Sequence, residues 1–192
     1  QLDAGVYALR KKEPLSPHAP ASHTNSLYTA FSSPAQVLVA HGVRVVGIDL
    51  LPVEPVNGAT LLRGDFTKPD VQAELLDALR EQSGSGSGAA DLLLSDVSPN
   101  RSGNASLDEA GMVACAEASL SLAARCLRPG GSFVCKLLEG SDTRELVARA
   151  KPMFKAAGGL VKPKASRPKS REVYLVARGF DPDAYASQMA AW

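Results

Sequence analysis

Cysteine is scarce in this chain of 192 residues: three thiols, Cys115, Cys126 and Cys135, with no CxxC pair among them. An odd count without paired spacing argues against a disulfide framework and reads as small, buried apolar side chains. Histidine is equally sparse, and His18, His23 and His41 share no metal-ligand spacing with one another or with a cysteine, so no metal is expected. No apolar run approaches the roughly 18 residues needed to cross a bilayer, so no membrane partner is expected either. No GxGxxG follows a strand-like run, which weighs against a dinucleotide-dependent dehydrogenase. The chain holds 45% hydrophobic and 21% charged residues, the composition of one globular domain long enough to bury a core.

Acidic residues are missing from one stretch in particular. Between Lys151 and Arg171 stand Lys151, Lys155, Lys162, Lys164, Arg167, Lys169 and Arg171 with no Asp or Glu, although the whole chain carries only +1. Such a block is either a solvated basic face or a surface for a polyanion. Residues 1–43 hold two acids, Asp3 and Glu13, among many Ser, Ala, Pro and His. They weakly resemble an organelle-targeting region but lack its arginines and amphipathic period. Gln1 in first place is what a processed form or a fragment would show.

From residue 43 onward, short apolar runs alternate with helical patterns. Strands are predicted near 43–49, 59–64, 91–96, 132–138 and 172–178, with a further short one around Leu160–Val161. A helix is expected from Thr67–Pro69 to Arg80, with Val71, Leu75, Leu76 and Leu79 on one face. A longer one spans about Leu107–Leu127 and stops at Arg128-Pro129-Gly130-Gly131. A third should run from Ser141 to about Phe154, capped by Ser141, or by Asp142 in a capping box with Glu145. The residues 83–88, SGSGSG, read as a flexible connection. This alternation implies an α/β fold: a doubly wound, mostly parallel sheet with helices on both faces and ligands at the carboxyl ends of the strands.

Three of the predicted strands end in an aspartate: Asp49, Asp65 and Asp96. A single strand-end Asp is usually a turn residue, but three in one sheet would face the same crevice. A carboxylate after the second strand suits the two hydroxyls of a ribose. Asp65 is placed to meet an adenine amino group, and Asp96 the charged end of the same ligand.

The run Ser95-Asp96-Val97-Ser98-Pro99-Asn100-Arg101-Ser102-Gly103 resembles the SDxxPNxSG loop of the FtsJ-type ribosomal RNA ribose 2′-O-methyltransferases. The likeness continues through Val46–Pro52, Arg63–Phe66, Leu127–Lys136, Ser166-Arg167 and Ser170–Tyr174, over about residues 35–180. It implies a Rossmann-like class I methyltransferase fold with seven strands, the last antiparallel, and S-adenosyl-L-methionine as cofactor. It also implies cofactor binding by Asp49, Asp65 and Asp96, and catalysis by Asp96, Lys136 and Glu172 from the family's Lys-Asp-Lys-Glu tetrad. The basic stretch then becomes an RNA surface of Lys162, Lys164, Arg167, Lys169 and Arg171, and the partner large-subunit rRNA, in the ribosome or a pre-ribosomal particle. The phrase KPKASRPKSREVY looks most like mitochondrial and bacterial members, which makes the mitochondrion the expected compartment, another organelle or the cytoplasm the alternative. On this reading residues 1–34 are an irregular segment, a targeting remnant or a diverged first strand, 35–180 the domain and 181–192 a tail.

The chemistry accounts for the residue types. A ribose hydroxyl must lose its proton while attacking a sulfonium methyl, and a lysine can take that proton only when its pKa is lowered. Carboxylates nearby oppose that shift, so Asp96 and Glu172 are expected to orient Lys136 and the hydroxyl. Two departures from the family pattern stand out. Counting back from Gln36, Tyr28, Ser32 and Ser33 occupy places where the family's first loop has glycines. The upstream tetrad lysine has only Lys11 and Lys12 as candidates. The alternative to an rRNA methyltransferase is therefore a catalytically silent, ribosome-bound structural or assembly component of the same fold.

Overall fold

The computed structural model describes residues 5–11, 39, 42–83, 89–164, 166–167 and 169–190. Its strands are β1 (Val6–Lys11), β2 (Val43–Asp49), β3 (Ala59–Arg63), β4 (Ala90–Ser95), β5 (Leu127–Leu138), β6 (Phe154–Val161) and β7 (Glu172–Phe180). The helices are α1 (Pro69–Ser83), α2 (Ala105–Cys126), α3 (Ser141–Ala150) and α4 (Pro182–Met189), with a 3₁₀ turn at Lys151–Met153. All seven strands join one sheet in the order β3-β2-β1-β4-β5-β7-β6.

The pairings give β2, β3, β4, β5 and β6 a common direction, so the sheet is mostly parallel. β7 is antiparallel to β5, as the resemblance implies. The second reversed strand is β1, antiparallel to both β2 and β4. Its sequence explains its place: Val6 and Ala8 bury on one face and Tyr7 and Leu9 on the other, the pattern of a strand covered on both sides. This strand lies inside the segment expected to be irregular. It pairs with both β2 and β4, while the stretch counted back from Gln36 that holds Tyr28, Ser32 and Ser33 lies outside the described residues.

Period-two alternation sorts the strand residues onto two faces. Val6, Val46, Ile48, Leu93, Phe133 and Leu175 share one face and one core cluster with Leu75 and Leu79 of α1, Ala116 and Leu120 of α2 and Leu146 of α3. Burying a leucine or isoleucine this fully stabilises by about 1.5–3 kcal/mol. The opposite face carries a smaller cluster of Tyr7, Leu9 and Val45, with Val39 and Val56 packed against it. Helical cover was expected on both faces; among the described residues α1, α2 and α3 all contribute to the first.

Helix boundaries follow local chemistry. Pro69 opens α1, where a missing N–H costs nothing, and Asn104 caps α2 by accepting from Ser106 N (3.0 Å) and Leu107 N (3.3 Å). α3 stops at Ala150 rather than at Phe154, because Pro152 cannot donate the bond a continuing helix requires; Phe154 already begins β6. Neither Ser141 nor Asp142 caps α3. Its N-cap is Gly140, without a side-chain bond, and the acceptor comes from another helix. Glu109 Oε1 takes Asp142 N (2.9 Å) and Thr143 N (3.2 Å), a carboxylate on the positive end of a helix dipole. A Cβ at Gly140 would overlap that carboxylate, so the close approach needs glycine.

Candidate active site

The antiparallel register of β5 and β7 pairs Lys136 with Tyr174 and Leu138 with Glu172. All four lie on the face turned away from α1, α2 and α3, because Cys135 and Leu137 take the alternate positions in the helix-side core. Asp96 follows β4 directly, and its N–H donates to Gly5 O at 3.0 Å, which ties the loop to the start of β1. Its Oδ1 meets Lys136 Nζ at 3.0 Å, with the Lys136 side chain 11% and the Asp96 side chain 19% exposed. Tyr174 donates its hydroxyl to the same oxygen at 3.1 Å. Burial, and then the Asp96 carboxylate, push the Tyr174 phenol up to about 12, so at neutral pH it remains a donor.

Two of the expected catalytic groups, Asp96 and Lys136, are therefore in contact, while Glu172 is engaged elsewhere: Arg101 Nη2 reaches Glu172 Oε1 at 2.8 Å. Neither Tyr174 nor Arg101 was singled out from the sequence. The signal for Tyr174 was present in Glu172-Val173-Tyr174, where period two places the first and third residues on one face. Nothing local marked Arg101, whose partner is 71 residues away.

The cofactor aspartates gather for a topological reason. β2, β3 and β4 run the same way, so their carboxyl ends reach one edge of the sheet. Asp49 ends β2, is buried, and accepts from Leu51 N at 2.9 Å. Asp65 accepts from Thr67 N (3.0 Å) and Thr67 Oγ1 (2.7 Å), and the threonine hydroxyl bond leads in holding its carboxyl below the usual range. Asp49, Asp65 and Asp96 accept these hydrogen bonds on Oδ1. Carboxylates gathered at one edge are acceptors, which suits the hydroxyls and amino group of a nucleoside. Gly5 lies at the same edge, where a Cβ would meet Ile48 O at 2.7 Å and Asp49 Oδ2 at 3.3 Å. A glycine thus stands at this edge, contributed by the approach to β1; Tyr28, Ser32 and Ser33 fall outside the described residues. This set of acceptors fits the nucleoside part of the cofactor that the resemblance implies.

The upstream lysine does not come from Lys11. Its register partner is Val43, at the far end of β1 from Gly5, roughly 17 Å along the strand from the Asp96 edge. Lys12 lies outside the described residues.

Beside the Asp96–Lys136 pair opens a cavity of about 850 Å³, lined by Ser98, Arg101, Arg167, Lys169, Glu172 and Tyr174 among others. Lys164, Arg167 and Lys169 are exposed. Lys162 donates to Ser170 O at 2.8 Å and so braces the loop before β7. Arg171 differs from the other four basic residues: Nε donates to Glu139 O at 3.0 Å, and Nη2 reaches Glu109 Oε2 at 3.2 Å. With Glu109 only 6% exposed, Arg171 acts as the cation that balances a buried acid.

The comparisons agree with this arrangement. The family model described as FtsJ-like methyltransferase matches residues 30–180. A protein named ribosomal RNA large subunit methyltransferase E from Gluconobacter oxydans is 42% identical over 149 residues, 77% of this chain and 53% of its own length. The protein of the same name from Granulibacter bethesdensis is also 42% identical over 149 residues, covering 77% of this chain and 61% of that one. The chain thus spans about half to three-fifths of the length of these curated relatives. A crystal structure of a protein assigned as a ribosomal RNA methyltransferase from Plasmodium falciparum matches with a TM-score of 0.59 and 25% identity, covering 70% of this chain and 71% of that one. With the sheet order, the strand-end aspartates and the Asp96–Lys136 pair already in place, the chain belongs to the FtsJ-like methyltransferase family.

Proposed function

We propose that the protein transfers a methyl group from S-adenosylmethionine to a ribose 2′-hydroxyl of large-subunit rRNA. The observation that carries this reading is the Asp96–Lys136 pair at 3.0 Å, on the same sheet edge as Asp49 and Asp65 and beside a basic cavity. When bound, the cofactor supplies an electrophilic methyl on a sulfonium. Asp49 and Asp65 hold its ribose and adenine by accepting hydrogen bonds. Asp96 accepts from Lys136 Nζ and from the Tyr174 hydroxyl, fixing the geometry where the RNA ribose must lie in line with the methyl. Lys136, as the neutral amine, would take the proton of the ribose hydroxyl on Nζ and so become the ammonium that Asp96 holds, while the cofactor would supply the methyl. Lys162, Lys164, Arg167 and Lys169 meet RNA phosphates, and Arg171 contributes mainly by holding the β7 entrance.

The mitochondrion is the compartment we propose, on the likeness of the 162–174 stretch to organellar and bacterial members; a fluorescent fusion of the full-length protein that stays in the cytosol would remove it. The activity is tested by calorimetric titration of the purified chain with S-adenosylmethionine, followed by tritiated methyl transfer to large-subunit rRNA and nuclease mapping of the label. Cofactor binding with label in a ribose is the expected result. Failure to bind the cofactor would leave the structural or assembly role as the better account.

A further inference from the structure

Arg101 occupies a position with two competing demands. Its guanidinium is bonded to Glu172, yet it also lines the cavity with Arg167 and Lys169, which form no ion pair among the described residues. Glu172 is the one anion among the residues lining that cavity, against three cations. The Arg101 and Glu172 side chains are 50% and 39% exposed. A pair so open to water is weak and gives way to a better partner. A phosphodiester is such a partner, since the planar fork of arginine can meet two of its oxygens at once. Glu172 meanwhile lies on the same face as Lys136 and Tyr174, and among the described residues no hydrogen bond joins it to either.

We propose that Arg101 is an exchange residue that makes the active site responsive to RNA. In the free protein it holds the Glu172 carboxylate. When an RNA phosphodiester enters the cavity between Arg101 and the Arg167–Lys169 side, the guanidinium passes to the phosphate and Glu172 is released. The carboxylate can then accept a hydrogen bond from the Lys136 ammonium or from the target hydroxyl. The site is thus completed only with substrate present. This inference rests on the reading that the basic face binds rRNA.

The test is a double-mutant cycle on the full chain, with a transcript of large-subunit rRNA as probe and affinity measured across a salt series. Glu172→Gln should bind the transcript about two- to fivefold more tightly, because Arg101 no longer has to leave an anion. Arg101→Met should bind more weakly and lose about one unit of salt slope, and Arg101→Lys should fall between it and wild type. In the Arg101→Met background the gain from Glu172→Gln should vanish. The same gain in both backgrounds would show only removal of a negative charge and would overturn the exchange, as would Arg101→Met with unchanged affinity and slope. Wild type that binds no transcript at low salt would sink the RNA reading itself, and the exchange with it. Melting temperatures of the four variants, expected near wild type for half-exposed residues, keep a folding defect from imitating either result.

Discussion

The two halves of the sheet hold their polar residues in different ways. In the β4-β5-β7 half, the bonds reach far along the chain: Tyr174 to Asp96, Arg101 to Glu172, Arg171 to Glu109, and the start of α3 to Glu109, with separations of 33 to 78 residues. In the β2-β3 half, Asp49 and Asp65 are each held by a neighbour two residues on. A side chain fixed by its own loop keeps its geometry whatever happens elsewhere. One fixed by a distant partner depends on the packing that brings the strands together. The catalytic half should therefore transmit damage, and the cofactor half should contain it.

The sharpest way to break this contrast is at Lys136. Lys136→Ala should lower methyl transfer by about 10²–10⁴-fold and also cost stability, since it leaves the largely buried Asp96 carboxylate without its cation, while cofactor affinity falls less than transfer does. Asp96→Ala should injure both cofactor binding and transfer, as that carboxylate serves each side. Single-turnover rates and calorimetry on the same samples separate the two, and equal loss of cofactor binding in both variants would contradict the division of labour.

Next in size is a stability effect at Glu109. Glu109→Ala leaves Arg171 and the first N–H groups of α3 without their acceptor, and should cost about 3 kcal/mol in denaturant unfolding. Glu109→Gln, which keeps an acceptor oxygen, should cost less. An alanine variant as stable as wild type would mean that α3 is anchored by its apolar contacts alone.

A smaller change, mainly in RNA affinity with a minor loss of the Lys162 brace on the loop before β7, is expected from reversing Lys162, Lys164 and Arg167 to glutamate. Affinity for rRNA should fall and its salt dependence flatten by about two to three units of slope. Arg171→Glu should behave differently and lower the melting temperature. If all four substitutions acted alike, Arg171 would belong to the RNA surface rather than to the buried network.

The smallest effect belongs to the cofactor half. Thr67→Val removes the hydroxyl that leads in lowering the Asp65 pKa, so the carboxyl should titrate closer to an ordinary aspartate by NMR. A depressed folded-state pKa contributes stability above the unfolded aspartate value, and that contribution is lost as the pH falls through the depressed one. Asp65 is only lightly covered, so the loss should be small; it should be present at neutral pH and disappear as the pH falls through the depressed value. A marked loss of stability at neutral pH would show that the Asp65 turn carries more of the fold than its local bonds suggest.

Much of the architecture was legible because it rests on short-range rules. The Asp49, Asp65 and Asp96 strand ends, the apolar face of α1 and the break after Cys126 follow from periodicity and turn chemistry. Lys136, Glu172 and Tyr174 share a face because β5 and β7 alternate. The capping of α3 was misread because Ser141 and Asp142 are good caps by local preference, whereas the acceptor present is a carboxylate 33 residues upstream. The central strand was sought at 26–36 by counting back from Gln36. Val6–Lys11 pairs with both β2 and β4 because an alternating apolar segment can satisfy both neighbouring strand edges while running in reverse.

By itself, the sequence determined which residues could carry charge to the carboxyl edge of a sheet and which stretch could meet a polyanion, because both depend on residue type and local period. Tertiary structure decided the rest. It turned β1 against its neighbours, seated Arg171 on a buried acid and drew Glu172 to Arg101, since each of these depends on a partner that only folding brings within reach of a hydrogen bond.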